Sequence, residues 1–456
     1  MNKQYQSPRL APGVQEFMLY PEFWIKQSEG LNKPILKDRS REDLLQETYQ
    51  RAEEMELEVE FCQIKDFPAK INKNKLLDIM EDFSKPDKLK EKSYYNIEGK
   101  KISEKEISEL IDNSAIDQIS DEITVSFGLL VKRTDVRAYP TDKVFATSPE
   151  SIDQDMFQLT ALSVGTPLAI LHISRDRSWC FVQAPYYRGW IKYESVALVN
   201  NKEELVDNTD TERFLMVTES LVETEPNPFS LEISNIKFQM GDMIPLVCDD
   251  KVPNSIPPDN QQAQSPEGCY VIKLPVKGKD GYLEIKPALI ARSRGIREGF
   301  LPYTRKNLIL QAFKMLGERY GWGGLYNRRD CSRFIMDIYR SVGIKIPRDA
   351  GKPQEKIAAG KTIKFEGSLE KRREVMARLE PGDPIYMKGH VVMYLGQYKN
   401  NHYVIHSGAG YGRKDGDRDI KPITVHGVFV MKVDQYLKSG EKTYLEAFKL
   451  ARKFKL

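Results

Sequence analysis

The sequence predicts a multidomain α+β protein, with a helical lobe over 1–124, two small β-barrels over 125–205 and 206–295, and an α+β domain over 296–456. Three observations carry that reading. The length, 456 residues, exceeds what one hydrophobic core usually organises. The apolar period changes from helical spacing to alternation near residue 125 and returns to helical spacing after Gly299. The composition, 40% hydrophobic, 30% charged and 10% aromatic, is that of an ordinary globular chain rather than a disordered or fibrous one.

In the first segment, REDLLQETYQRAEEMELE places Leu44, Leu45, Tyr49, Ala52 and Met55 near a helical period. Further helices are expected around KLLDIMEDF and EKEISELID. The Pro-rich opening and the lysine-laden stretch 85–105 read as surface connections, so this lobe is expected to wrap on other parts of the chain, and its sequence assigns it no chemistry.

From about 125, the runs ITVSFGLLV, PLAILHIS, SWCFVQA and RGWIKYESV alternate and are broken by turn residues, which predicts a small all-β domain. Trp179, Phe181 and Trp190 are assigned to its core, and Tyr186 and Tyr187 are expected to be exposed and able to line a cleft. RFLMVTE, MIPLVCDD, CYVIKLPVK and DGYLEIKPALI fill 211–292 with the same character and predict a second, divergent barrel.

After Gly299 the pattern is helical again, with Leu308, Ile309, Ala312, Phe313 and Leu316 on one face. The segment Tyr320-Gly-Trp-Gly-Gly324 must turn, because its glycines weaken a helix and allow close backbone approach. Beyond it, Phe334, Ile335, Ile338, Tyr339 and Val342 mark a helix that Asp330 or its neighbour is placed to cap at its start and Gly343 at its end. Cys331 then lies on the first turn, where the helix dipole is expected to lower the thiol pKa and main-chain N–H groups can receive an oxyanion. Taken alone, a cysteine before an apolar helix is more often a packed core residue than a nucleophile.

The histidines change that balance. Of five, three lie in LEPGDPIYMKGHVVMYLGQYKNNHYVIHSGAG: His390, His402 and His406. VVMYLG and HYVIH read as a hairpin turning at Lys399-Asn400-Asn401, so His390 opens one strand and can face the helix as a base. A base needs a partner on its other ring nitrogen. His406 is the first choice, since the turn brings it closer in register to His390, and His402 the second. Zinc is not expected: the spacing of His402 and His406 suits a helix, whereas this segment is strand-like and lacks a nearby carboxylate or thiol pair. No other cofactor is expected.

The motifs YGWGGLYNRRDCS, IPRDAG, LEPGDPIY, GHVVMYLG and VIHSGAG together resemble the NlpC/p60-type cysteine peptidases of bacterial cell walls, which have a papain-like fold. The resemblance spans about 310–430 and holds in order and spacing. APYYRGWIKYESVALV and VRAYPTD resemble bacterial SH3-like barrels, and the whole chain resembles multidomain γ-D-glutamyl-L-diamino acid endopeptidases. The resemblance implies Cys331 as nucleophile, His390 as base and His406 as its orienting partner. It also implies Tyr320 at the oxyanion site, with Asp330 and Ser332 facing the amino end of the substrate. The implied reaction is hydrolysis, through a thioester, of the amide between γ-D-glutamate and meso-diaminopimelate or lysine in a murein stem peptide. The first barrel would wall the cleft and select a free N-terminal L-alanine, whose ammonium would pair with Asp330.

Arg328, Arg329 and Arg333 are expected to ring the cleft, at least one of them binding a substrate carboxylate unless it is spent in an ion pair. Trp322 and Tyr187 are further candidates for substrate contact. Three departures bear on substrate fit: Arg333 where the family commonly has glycine, Pro384 after Gly382-Asp383 where an apolar residue is usual, and a longer hairpin.

A net charge of +3 without a separate basic block argues against a nucleic-acid or membrane surface. The sequence has no run of eighteen apolar residues, and its start lacks a signal-peptide core. The expected location is therefore the cell envelope or exterior if a signal was removed, or the cytoplasm, where released peptides are recycled. The five cysteines are scattered without a CxxC pair, so at least one thiol is free. A monomer is expected. Two rival functions are a non-catalytic peptidoglycan-binding protein and an acyl-transferring relative on the same fold. The intact Cys331, His390 and His406 set argues against the first, and the absence of an apolar acyl-binding stretch against the second.

Overall fold

The computed structural model describes residues 10–36, 40–80, 89, 91–258, 260, 262–351, 353–415 and 419–454. Its two compact units do not follow chain order: Met1–Met55, Phe300–Tyr320 and Arg328–Leu456 form one, and Glu56–Gly299 with Gly321–Asn327 form the other.

The segment 1–124 is therefore divided rather than a single lobe, and the packing gives the reason. Helix Arg41–Glu54, capped by Ser40, buries Leu44, Thr48 and Ala52. Its Arg41 donates to Val342 O at 2.7 Å and its Arg51 to Ala358 O at 2.7 Å, both in the C-terminal part of the first unit. Trp24 is fully buried there beside Tyr403, with ring centroids 5.3 Å apart. By contrast, Ile64, Leu76, Ile79 and Met80 share a core with Phe127, Leu171, Trp179, Phe181 and Trp190. Tyr94, Ile107 and Leu110 pack with Tyr139, Phe145 and Phe157. The expected helix over KLLDIMEDF runs Lys73–Met80, and its remaining residues lie outside the described ones.

In the second unit a seven-stranded antiparallel sheet runs in the order Gln158–Leu162, Thr134–Arg137, Tyr187–Lys192, Trp179–Ala184, Pro167–Ile173, Ser126–Leu130, Val196–Leu198. Tyr186 and Tyr187, expected to be exposed, are buried at 7% and 8% exposure, because the tight connection between the third and fourth of these strands folds them inward. Residues 214–298 form three small sheets around Leu215, Val217, Val222, Phe238, Ile244, Ile272 and Ile290. The turn 321–327 belongs to this unit: Gln158 donates to Gly323 O at 2.8 Å and Arg133 to Gly324 O at 2.5 Å. Gly323 has φ +53°, and a Cβ there would lie 2.7 Å from Gln158 O, so glycine is required on both counts.

The first unit is built on a six-stranded antiparallel sheet in the order Lys361–Lys364, Leu450–Lys453, Pro384–Met387, His390–Tyr398, Asn401–Asp415, Asp419–Lys432. Helix Cys331–Ser341 packs on the strands His390–Tyr398 and Asn401–Asp415. Val342 and Gly343, at φ +83°, end that helix. Tyr339 ties it to Gly382 O at 2.8 Å, and Asp383 holds Arg305 of the neighbouring helix Arg305–Phe313 at 2.6 Å. Among the described residues no helix is long and apolar enough to cross a membrane.

Candidate active site

The site grows from the start of helix Cys331–Ser341. Asp330 has extended backbone, and its carboxylate accepts from Arg333 N at 2.9 Å, which caps the helix and sets Cys331 at its first position. Burial pushes the Asp330 pKa up, but Arg348 outweighs it with its charge and hydrogen bonds at 3.0 and 2.5 Å, leaving the carboxyl below its ordinary range. Arg348 also donates to Ser332 Oγ at 2.7 Å, and Ser332 donates to Asp330 at 3.1 Å. Asp330, Ser332 and Arg348 thus form a closed polar knot under the first helical turn.

Cys331 is 6% exposed. The main-chain N–H groups of Val391 and Ser332 bring hydrogen bonds to its sulfur, which places the thiol beside the strand that His390 opens. Residues Lys399 and Asn400, at φ +45° and +61°, make the two-residue turn that returns the chain. On the return strand His406 presents Nδ1 to His390 Nε2 at 2.7 Å. His390 Nδ1 is then the ring nitrogen that His406 does not engage. His402 is drawn elsewhere: its Nδ1 lies 2.7 Å from Tyr394 Oη. A bulge between Tyr394 and Gly396 offsets the hairpin register that simple alternation assumed.

The expected lowering of the Cys331 pKa is corrected by the structure. Burial, followed by the Asp330 charge, pushes the thiol up to about 12 despite the two N–H groups. Burial likewise pushes His390 down to about 4, although the Asp330 charge opposes it, and holds His406 well below its ordinary range. A helix terminus is worth about 0.3–1 kcal/mol, up to about 2, whereas full burial of a charge shifts a pKa by up to about 3–5 units. Burial thus disfavours the thiolate and the imidazolium alike.

Tyr320 is pinned by its N–H to His426 O at 2.8 Å. Its phenol is pushed up by burial and by the charges of Cys331 and Asp330, so it stands close to both. Arg329 and Arg333 do not line a cleft as substrate-facing charges. They are 1% and 3% exposed and grip the two oxygens of Asp337 at 2.7 and 2.6 Å, because a buried guanidinium requires a carboxylate. Arg329 also reaches Glu318 at 3.3 Å, and Arg328 is partly buried. Trp322 and Tyr187 lie in the other unit.

Residues 317–415 match the NlpC/P60 family. The chain carries an NlpC/P60 domain. Residues 143–192 match the SH3 domain of the SH3b1 type. A γ-D-glutamyl-L-lysine dipeptidyl-peptidase from Bacillus cereus (strain ATCC 10987 / NRS 248) is 26% identical over 269 residues. That alignment takes in 57% of this chain and 65% of the relative, so the chain spans a little under two thirds of its length. An NlpC/P60 endopeptidase from Photobacterium damselae subsp. piscicida superposes with a TM-score of 0.69 at 17% identity, over 94% of this chain and 96% of that one. An NlpC/P60 family protein from Bacillus cereus ATCC 10987 gives a TM-score of 0.46 at 18% identity, over 72% of this chain and 99% of that one. At 17% identity the Photobacterium structure speaks to fold alone.

Two residues of the site escaped sequence reasoning. Arg348 lies in the IPRDAG motif of the NlpC/P60 domain, but nothing in a sequence says that its partner is a helix cap 18 positions earlier. Tyr444 stands beyond the matched residues, and its phenol is pushed up by burial and by Cys331, which places it near the thiol.

Proposed function

We propose that Cys331, His390 and His406 make this NlpC/P60 domain a cysteine peptidase that cleaves the γ-D-glutamyl–diamino acid amide of murein stem peptides. The observation that carries the reading is the 2.7 Å bond from His390 Nε2 to His406 Nδ1, beside a thiol on a capped helix N-terminus. His390 Nδ1 takes the Sγ proton as sulfur attacks the carbonyl carbon, and the imidazolium keeps its Nε2–H on His406. Tyr320 and main-chain N–H groups at the helix start are positioned to meet the oxyanion. Collapse returns the proton to the leaving amine and leaves a thioester, and water activated by His390 then releases the acid.

Because burial disfavours both the thiolate and the imidazolium, in this reading proton transfer accompanies attack rather than preceding it. The expectation that Asp330 binds an N-terminal ammonium requires it to share that carboxylate with Arg348.

The test is to incubate L-Ala-γ-D-Glu-meso-diaminopimelate, its lysine counterpart and their N-acetylated forms with the protein and with Cys331→Ala. Release of the diamino acid by the unaltered protein, lost in Cys331→Ala, is the expected result. Cleavage of the free-amine peptides alone supports selection at the amino end. Release that survives in Cys331→Ala, or none from any peptide, contradicts the proposal.

A further inference from the structure

The imidazole pair is walled by a side chain from beyond the NlpC/P60 match. Tyr444 opens the short helix Tyr444–Ala447, is 5% exposed, and donates its hydroxyl to Gly410 O at 2.9 Å. That bond fixes its ring edge-on to both histidines, with centroids 5.6 Å from His406 and 6.4 Å from His390. Phe429, directly opposite His406 on the adjacent strand, covers it at 4.4 Å. His406 is fully buried, and among the described residues its Nε2 has no hydrogen-bond partner. Leaving such a group buried and unpaired is costly, so something must keep it from water.

The unpaired atom decides a tautomer. For His390 to take a proton on Nδ1, its Nε2 must carry hydrogen and His406 Nδ1 must accept. His406 then carries its own hydrogen on Nε2. Water at that nitrogen would admit two other states, an imidazolium and the Nδ1–H tautomer. Either one would donate to His390 Nε2 and force the base hydrogen onto Nδ1, where it cannot receive the thiol proton.

We propose that Tyr444 is a positioning residue for the base: its ring, pinned to Gly410, keeps water from His406 Nε2 and holds His406 in the neutral tautomer that accepts from His390. The proposal rests on reading His390 as the base. The titratable groups around the pair are Cys331 and Asp330 from the helix start, Tyr444 from the C-terminal turn, and each histidine for the other; Phe429 contributes no charge.

The experiment uses the full chain, Tyr444→Leu and Tyr444→Phe. It records the acid limb of kcat/KM on the cleaved peptide and the imidazole 15N spectra of histidine-labelled protein. Tyr444→Leu is expected to raise the midpoint of the acid limb by at least half a pH unit and to change the His406 nitrogen pattern. A wild-type midpoint and pattern in Tyr444→Leu overturn the proposal. Should the leucine variant not fold, Tyr444→Phe, which keeps the ring and loses only its anchor, decides: an altered His406 pattern supports the role and a wild-type pattern overturns it. The spectra read His406 whether or not any peptide is cleaved, so failure of the peptidase reading is a separate result.

Discussion

His406 is fully buried, and its neighbour His390 is only partly covered, as the group proposed to meet substrate has to be. Both have pKa values below the ordinary 6.5, His390 at about 4. Below pH 6.5 the unfolded chain binds protons that the folded chain does not, so stability falls as pH falls toward the folded values. Denaturant midpoints at pH 7.5 and 5.5 should therefore differ, the lower pH being less stable. One such group contributes about 1.4 kcal/mol per unit of pH in this window, and His406→Asn should reduce the slope. A flat stability between these pH values would contradict the burial that the site depends on. Cys331 and the three neighbouring histidines were legible from residue type and order alone. The partner of His390 was legible only as a preference, because a bulge farther along its own strand, between Tyr394 and Gly396, decides whether His402 or His406 faces it. The thiol pKa was misjudged because a sequence displays the helix terminus and hides the burial.

Helix Cys331–Ser341 is set by two carboxylates. Asp330 caps its first turn and neutralises Arg348, and Asp337 inside it neutralises Arg329 and Arg333, all at 8% exposure or less. Removing one partner of a buried pair costs about 3–5 kcal/mol, since the other charge remains without compensation. Asp337→Ala is thus expected to lower stability by that amount in urea titration, and the triple replacement Arg329→Met, Arg333→Met, Asp337→Leu to recover most of it. A single Asp337→Ala variant as stable as the parent would mean that Glu318, 3.3 Å from Arg329, and the remaining contacts compensate the arginines without Asp337. The cap could be read from Asp330 before an apolar periodic run. The ion pairs could not, since three arginines near a cysteine look alike whether they face substrate or a carboxylate one turn along the same helix.

The whole chain is discontinuous in a way that no composition shift announces, for residues up to Met55 belong with the C-terminal unit and residues from Glu56 onward with the β unit. The change from helical to alternating pattern near 125 does not reveal this break, because helices on either side of Met55 differ in what they bury rather than in how they read. A fragment cut at the sequence-based boundary, 296–456, should accordingly be unstable. Addition of 1–55 should restore it, since Trp24, Arg41 and Arg51 return to their contacts with Tyr403, Val342 and Ala358. Equal thermal stability with and without 1–55 would contradict that division. Whether Cys331 carries the acyl group is read by rapid-quench mass spectrometry of the full chain with L-Ala-γ-D-Glu-meso-diaminopimelate or its lysine counterpart. A transient L-Ala-γ-D-glutamyl adduct is expected on the peptide containing Cys331, absent in Cys331→Ala and accumulating more slowly in His390→Ala. Product release by the unaltered protein with no adduct on that peptide would contradict it.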